Sequence, residues 1–304
     1  MTITVLSLSG GKDSVAAALW LRERGIPHVR VFMDTGWEHP ELYAHLDYLE
    51  GLLGPIIRLT PSIPEIPDGL LREVEAVETL VGRSPSAFVR WAVRKGMFPS
   101  RMRRYCTQEL KVRPFLRWVE QQDDEVLNVV GIRAEESPAR AALPEREAMP
   151  GAEHIEVWRP LLRWTEAEVI SIHQQHGVTP CPLYLRGSTR VGCWPCIQAN
   201  KGELAALAKD DRRVQAITAL EALVSRAAAM RGAAAVHMFQ APMPVKTESG
   251  PTYPCTPIAK VLEWAQTARG GRQMRLGDWG EESGCVRWGM CESESVNVEK
   301  EKER

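Results

Sequence analysis

The chain has 304 residues, of which 44% are hydrophobic and 25% are charged, and its formal net charge at pH 7 is -1. This balance excludes a polycation, and the length favours one α/β domain of about 200 residues with an appendage. No apolar run approaches the roughly 20 residues needed to cross a bilayer, and the first residues show no basic-then-apolar leader. We therefore expect a cytoplasmic protein without membrane association.

Short apolar runs alternate with helical patterns at the start of the chain. Residues 3–8, 29–33 and 56–59 are predicted strands, and residues 15–21 and 41–53 are predicted helices. Strands that alternate with helices imply right-handed crossovers and a parallel sheet. The predicted fold class is α/β, with a Rossmann-like parallel sheet flanked by helices.

Later elements follow the same logic as far as residue 200. Residues 70–118 have a mostly helical pattern that Gly and Pro interrupt at 96–100, and residues 126–132 and 155–158 are predicted strands. A helix is predicted over residues 166–176, with Thr165 as N-cap and Glu168 three positions later.

The rest of the chain is predicted to be an appendage to the sheet domain, which we place at residues 1–200. A helical and cysteine-bearing extension follows at residues 201–291, with alanine-rich helices over 201–231 and a Pro-rich irregular linker over 238–257. Residues 292–304 are charged and almost without apolar side chains, so we expect them to be disordered.

The segment SGGKDS lies between the first predicted strand and helix. A glycine pair there lets the backbone approach a phosphate, and free amides at the helix start add positive potential. The spacing is not that of the GxxxxGK[ST] P-loop, and the competing interpretation is a Gly-rich turn with an exposed lysine. The predicted phosphate-binding residues are Ser9, Gly10, Gly11, Lys12, Asp13 and Ser14.

SGGKDS in this context resembles the PP-loop of the adenine-nucleotide α-hydrolase superfamily, and later segments narrow the match to its phosphoadenosine-phosphosulfate (PAPS) reductase family. The resemblance covers about residues 1–200. These segments are MDTGWEHPEL from Met33, CTQELKVRPF from Cys106, GIRAEESPAR from Gly131, and WRPLLRWTEAEV running into PLYLRGSTRVGCWPC. It implies an adenine nucleotide as ligand, with Asp34 and Gly36 near it; helix capping is an equal alternative for Asp34.

Basic residues crowd residues 89–117. The resemblance places this region near the substrate, so Lys111 and Arg113 are candidates to bind its anionic groups. The same patch could bind nucleic acid, or could simply be a solvated helix face.

A polar loop follows the predicted strand 126–132. Within it Arg133 is a candidate to contact a phosphate, with Arg140 as a further nucleotide contact, and Glu136 is a candidate magnesium ligand. A salt bridge within the loop is the alternative for these residues. Lys12, Asp13, Lys111 and Arg133 are the predicted catalytic residues.

Seven cysteines in a chain without a leader favour metal or thiol chemistry over a disulfide framework. Cys193 and Cys196 form CWPC, and Cys285 and Cys291 form a second pair, which predicts one four-thiolate site for a [4Fe–4S] cluster or for Zn²⁺. The alternatives are a redox-active CxxC or free thiols. The family's cluster-bearing members join a Cys-Cys pair to a later CxxC, but here Cys106 is followed by threonine.

Sulfonucleotide reductases carry a C-terminal ECG(L/I)H-like cysteine segment, and nothing in this sequence matches it. We therefore expect an ATP-binding enzyme that, with Mg²⁺, cleaves ATP at the α-phosphate and activates an acceptor for sulfur transfer, like the proteins of DNA phosphorothioation and tRNA thiolation. The acceptor is a small molecule or a nucleic acid, and further expected partners are a sulfur donor protein and a second copy of the chain. The alternatives are a PAPS or adenosine-phosphosulfate reductase and a nucleotide- or nucleic-acid-binding module without turnover.

Overall fold

A six-stranded sheet forms the centre of the computed structural model, which describes residues 2–248, 250–268 and 288. Its strands are β1 (Thr2–Ser7), β2 (Val29–Met33), β3 (Ile56–Leu59), β4 (Glu125–Val130), β5 (Arg146–Met149) and β6 (Ala152–Trp158). They lie in the order β3-β2-β1-β4-β6-β5, and every neighbouring pair is parallel except antiparallel β5 and β6. The predicted α/β class with a mostly parallel sheet is confirmed.

Helices connect and cover these strands. They are α1 (Lys12–Glu23), α2 (Pro40–Leu53), α3 (Leu71–Val81), α4 (Ala87–Lys95), α5 (Tyr105–Thr107), α6 (Arg113–Val119), α7 (Pro138–Ala141), α8 (Glu166–Gln175), α9 (Pro182–Leu185), α10 (Lys201–Leu207), α11 (Asp211–Ala229) and α12 (Ile258–Ala265). A π-helical turn, Gln108–Val112, joins α5 to α6. None of the helices described is long and apolar enough to cross a membrane.

Successive side chains of β1 point to opposite faces of the sheet, so they pack into different hydrophobic cores. Leu6 packs with residues of α1, α2 and α8 on one face, whereas Val5 packs with Phe115 of α6 on the other. A third core lies outside the sheet, where α10, α11 and α12 pack against α3 and α4. The helices α10, α11 and α12 are thus attached to the sheet domain by apolar packing.

The segment predicted to be an irregular linker contains short strands. They are β7 (Phe239–Gln240), β8 (Val245–Thr247), β9 (Gly250–Thr252) and β10 (Cys255–Thr256). β7 pairs with β10 and β8 with β9, both antiparallel. Runs of two or three residues interrupted by proline have no measurable period, so the sequence pattern could not reveal them.

The capping box predicted at the start of α8 is confirmed. The Glu168 amide donates to the Thr165 hydroxyl at 3.3 Å, and the Thr165 amide donates to the Glu168 carboxylate at 2.7 Å. These two bonds satisfy donors that no helical carbonyl can reach. They fix the first turn of α8, which carries Glu166 towards the loop after β1.

Two buried histidines predict a pH-dependent stability. Burial lowers the pKa of both His45 and His173 to about 4, and their charges would oppose each other. Below pH 6.5 these histidines become protonated in the unfolded chain, whereas in the folded chain they stay neutral until about pH 4. The free energy of unfolding therefore falls as the pH drops through this window. We expect a loss of about 2 kcal/mol per histidine between pH 7 and pH 5.

Thermal unfolding at pH 7 and pH 5 tests this expectation. The double variant His45→Gln/His173→Gln should lose less stability on acidification than the wild type. Exposed His154 provides the control, since His154→Gln should follow the wild-type curve. Parallel curves for the double variant and the wild type would contradict the assignment.

Candidate active site

The loop between β1 and α1, which the sequence predicts to bind phosphate and which we call the phosphate loop, is a tight glycine turn. Gly10 adopts φ +73°, and a Cβ there would lie 2.6 Å from a methyl carbon of Leu42. Gly11 is the N-cap of α1, so the N-cap residue itself has no side chain to accept the helix-start amides. The loop is closed internally, because the Ser14 hydroxyl donates to the Gly11 carbonyl at 2.9 Å and accepts the Ser9 amide at 3.1 Å.

Charged side chains surround the loop. The Lys12 ammonium is 8% exposed and pairs with Asp13 at 3.2 Å and with Glu166 at 3.5 Å. The second oxygen of Asp13 accepts the Arg133 Nε–H at 2.5 Å. Burial alone would lower the pKa of Arg133, but the hydrogen bonds and charges of Asp13 and Glu135 raise it above the usual range. Arg133 therefore holds Asp13 rather than facing the cleft.

The loop after β4 touches the loop after β1. A Cβ on Gly131 would lie 2.5 Å from the Asp13 carbonyl oxygen and 2.7 Å from the Ser14 Cα. β1 and β4 are adjacent in the sheet although they are distant in sequence, and the chain order reverses between them. Ligands of open parallel sheets bind at such a switch point, outside the carboxyl ends of the strands.

A cleft of about 380 Å³ opens at this position. The predicted site residues that line it are Ser9, Gly11, Asp13, Ser14, Lys111, Glu136, Arg140, Cys193 and Cys196. Further lining residues, which the sequence did not single out for this role, include Thr35, Arg104 and Tyr184. The cleft thus brings the phosphate loop and the CWPC segment to one space.

Other predicted residues lie outside the cleft lining. Asp34 is buried at the end of β2, where it accepts hydrogen bonds from the Gly36 amide at 2.9 Å and the Tyr43 hydroxyl at 2.7 Å and pairs with Arg83. Arg113 points to Glu109 at 2.6 Å. Glu136 and Arg140, by contrast, line the cleft, and they form an ion pair there while Glu136 accepts the Arg133 amide at 2.9 Å. This ion pair is the salt bridge within the loop that the sequence analysis gives as the alternative.

The segment after β2 is clamped to the CWPC segment. The His39 amide donates to the Gly192 carbonyl at 3.1 Å, and the Trp194 amide donates to the Trp37 carbonyl at 2.9 Å. This pairing brings the Cys193 sulfur to 4.0 Å from the Thr35 hydroxyl. Two segments separated by about 150 residues therefore share one wall of the cleft.

Glu38 is a buried carboxylate in this wall, and the sequence analysis missed it. It accepts hydrogen bonds from the Thr35 hydroxyl at 2.6 Å, the Trp37 amide at 3.1 Å and the Tyr43 hydroxyl at 3.0 Å. The negative potential of Cys193, and then of Glu38, raises the pKa of Lys111 against the effect of burial. Lys111 consequently stays cationic beside the cysteines.

The surroundings raise the pKa of two of the cleft thiols, Cys193 and Cys106. Burial raises the pKa of Cys193 to about 12, although Lys111 acts in the opposite direction. Burial also raises the pKa of Cys106, and the neighbouring charge of Cys196 adds to it. Cys106, Cys193 and Cys196 are therefore within electrostatic range of one another and of Lys111.

The predicted four-thiolate site lies only partly in the described chain. Cys193 and Cys196 line the cleft, whereas Cys285 and Cys291 lie outside the described residues. Within residues 2–248, 250–268 and 288, no group of three or more His, Cys, Asp or Glu side chains is arranged to hold a metal ion. The described thiols alone therefore do not complete a site for a cluster or zinc.

Tyr184 covers the phosphate loop. Its hydroxyl accepts the Lys12 amide at 3.2 Å, its ring centroid lies 5.5 Å from the Lys12 ammonium, and burial raises its pKa well above the usual range. Trp288 packs against the other side of Tyr184 and against His173, and its carbonyl accepts the Gln174 side chain at 3.0 Å. Only the side chain of Tyr184 therefore separates Trp288 from the loop.

Comparison with known proteins decides the family. The model of the phosphoadenosine phosphosulfate reductase domain matches residues 3–199. The chain belongs to the PAPS reductase family. This membership makes it a sulfonucleotide reductase-like or related PP-loop enzyme.

Relatives of this PAPS reductase family member include phage and cellular proteins. An uncharacterised 37.8 kDa protein of Escherichia phage 186 is 36% identical over 90% of this chain and 91% of its own length. Adenosine 5′-phosphosulfate reductase of Deinococcus radiodurans is 26% identical over 56% of this chain, and the match spans only 57% of that enzyme. PAPS reductase of Candida auris, solved with phosphate, is 18% identical over 64% of this chain and 82% of that chain, with a TM-score of 0.45.

Proposed function

We propose that the enzyme binds ATP in the cleft and cleaves it between the α- and β-phosphates to activate an acceptor. The observation that carries this proposal is the start of α1, where the N-cap residue has no side chain, with Gly10 and Gly11 at the phosphate-facing turn and Lys12 beside it. The first amides of a helix have no carbonyl partner within the helix, so they bind anions. SGGKDS also resembles the form of the PP-loop that is typical of superfamily members that cleave ATP between the α- and β-phosphates.

The reaction would be an in-line displacement at phosphorus. An acceptor oxygen forms a bond to the α-phosphorus, the bond from that phosphorus to the bridging oxygen breaks, and pyrophosphate leaves with the electron pair. Ser9, Ser14 and the helix-start amides would hold the departing phosphates, and Lys111 and Arg140 would neutralise charge within the cleft. Mg²⁺ would supply further charge neutralisation, with Glu136 as its candidate protein ligand.

Sulfur transfer would use the activated acceptor. A sulfur nucleophile from a donor protein would form a carbon–sulfur bond at the activated position, and AMP would leave as the carbon–oxygen bond breaks. The cleft supports this step because Cys106, Cys193 and Cys196 lie beside the same space as the phosphate loop. Lys111 would stabilise negative charge on an attacking sulfur, since it stays cationic there.

The cysteines also lead to a prediction about metal. We propose that Cys193, Cys196, Cys285 and Cys291 hold a [4Fe–4S] cluster, with Zn²⁺ as the alternative. Protein purified without oxygen should contain about four irons per chain, and Cys193→Ser should lose them. Cys255→Ser, at an exposed cysteine, is the control and should keep its metal. One zinc ion per chain would indicate a structural site in place of a cluster. Wild-type protein without bound metal would contradict the proposed metal site.

A sulfonucleotide reductase is the second candidate, and the relative from Deinococcus radiodurans favours it. One experiment separates the two functions. The same preparation is assayed for pyrophosphate release from ATP, with and without candidate acceptors, and for sulfite release from PAPS or adenosine 5′-phosphosulfate with thioredoxin. Acceptor-stimulated pyrophosphate supports ATP cleavage, whereas sulfite without pyrophosphate establishes the reductase and rejects our proposal.

A further inference from the structure

Three exposed arginines lie within four residues of one another in the chain, next to the cleft lining. They lie in a turn, residues 100–104, in which the Ser100 amide donates to the Arg103 carbonyl and the Arg103 amide donates to the Ser100 hydroxyl, both at 3.1 Å. Arg104 lines the cleft itself. Because this segment is a turn between α4 and α5, the alternative of a solvated helix face does not describe it. We call Arg101, Arg103 and Arg104 the rim arginines.

The rim arginines differ from the other cations around the cleft. Arg140 pairs with Glu136, and Arg190 pairs with Glu203 at 3.4 Å. None of the three rim guanidinium groups has an acidic partner within 4 Å among the residues that the structure describes. Their charge is therefore available to an external anion, and a planar guanidinium matches a phosphate with two parallel hydrogen bonds.

The volume of the cleft limits where an acceptor can lie. About 380 Å³ is near the lower end of small-molecule pockets, which hold roughly 300 to 1,000 Å³. If a nucleotide on the phosphate loop fills this space, the acceptor must enter through the mouth and leave most of its mass outside. The part outside then meets the rim arginines and Met102, whose side chain is 96% exposed.

We propose that the acceptor is a single-stranded nucleic acid whose backbone phosphates bind the rim arginines. The inference rests on the proposed ATP cleavage. Phosphodiester groups repeat regularly along a strand, so several of them can bind the three rim arginines at once. Exposed apolar surface such as Met102 can contact unstacked bases. A nucleoside that must reach into the cleft has to leave a duplex, which favours a single strand or a flipped nucleotide.

Binding of a fluorescein-labelled 20-nucleotide DNA or RNA strand to the full-length protein tests the surface by anisotropy between 50 and 200 mM salt. Each phosphate contact on a single strand contributes about 0.7 to the slope of log Kd against log salt. The triple variant Arg101→Gln/Arg103→Gln/Arg104→Gln should therefore have a slope shallower by about 2 and an affinity at 50 mM salt lower by about ten-fold or more.

A charge-matched control carries Arg24→Gln/Arg72→Gln/Arg146→Gln, which removes three exposed arginines from other surfaces. Equal strand binding by the rim and control variants would overturn the proposal. So would displacement of the strand by polyglutamate at the same concentration of charge, since that would indicate a general polyanion surface. Circular dichroism of both variants establishes that each is folded.

Nucleotide measurements keep this proposal separate from the proposed function. The double variant Arg101→Gln/Arg103→Gln, which keeps the cleft-lining Arg104, should bind ATP as the wild type does, and a bound strand should stimulate its pyrophosphate release less than that of the wild type. Strand binding by the rim arginines without any pyrophosphate release would support the surface and count against ATP cleavage. ATP cleavage that no strand stimulates would overturn the assignment of nucleic acid as the acceptor.

Discussion

Lys12→Ala is expected to lower kcat/KM for ATP-dependent pyrophosphate release by about 10² to 10³, the effect of removing one preorganised charge from a transition state. In the free enzyme the Lys12 ammonium is held by Asp13 and Glu166, at 3.2 and 3.5 Å. Phosphates on the neighbouring helix start would compete for this cation. The variant should fold, because Asp13 retains its hydrogen bond from Arg133.

Two measurements distinguish loss of the cation from loss of structure. The melting temperature of Lys12→Ala should stay close to that of the wild type, while ATP binding by calorimetry should weaken. Lys260→Ala, on the exposed side of α12, removes the same charge far from the loop in sequence and should change neither quantity. Unaltered ATP affinity and turnover in Lys12→Ala would show that this loop does not hold the phosphates.

Short-range sequence patterns predicted most of the fold that positions the site. β1, β2 and β3 are apolar runs bounded by turn residues, and the helices between them show the expected period, so the parallel sheet could be inferred without any relative. The antiparallel edge strand β5 was missed. Its four residues, Arg146–Met149, include no fully buried side chain and are half charged, so the run is too short and too polar to show an alternating apolar pattern.

Contacts between distant segments could not be predicted in the same way. Glu38 stands inside a motif that the sequence analysis had quoted, but nothing in the sequence indicates that its carboxylate is buried beside Cys193. Tyr184 lies next to Lys12 in the fold although 172 positions separate the two residues in the sequence. Arg113 is a substrate candidate because the family resemblance places its segment near the substrate, but the sequence did not indicate that one turn of helix pairs it with Glu109. In each case the direction of the side chain in the fold determines its contacts, and residue type alone does not reveal that direction.

Arg133 illustrates how the two kinds of information combine. Its position after a strand made it a candidate phosphate contact, and the structure places it 2.5 Å from the Asp13 carboxylate. The guanidinium is only 3% exposed, so it cannot reach a ligand in the cleft without moving. In this structure Arg133 therefore holds Asp13, and through it the first turn of α1. Direct phosphate contact by Arg133 stays a prediction.

Gly131→Ala is expected to have the largest effect of any single added methyl group near the site. The new Cβ would lie 2.5 Å from the Asp13 carbonyl oxygen, 2.6 Å from its carbon and 2.7 Å from the Ser14 Cα. All three are backbone atoms of the loop and α1, so no flexible side chain can yield. Overpacking of this kind costs about 1 to 3 kcal/mol, and here relief requires the phosphate loop to move away from β4.

Gly51→Ala is the matched control, since Gly51 lies within α2 and a Cβ there meets nothing within 4 Å. It should be neutral, or stabilising by up to about 1 kcal/mol, because alanine favours a helix more than glycine does. Gly131→Ala should instead lower both the free energy of unfolding in urea and the affinity for ATP. If it unfolds like the wild type and binds ATP equally well, the β4 loop does not support the phosphate loop. A loss of stability with ATP affinity intact would show that the loop keeps its shape while strain is absorbed within the sheet.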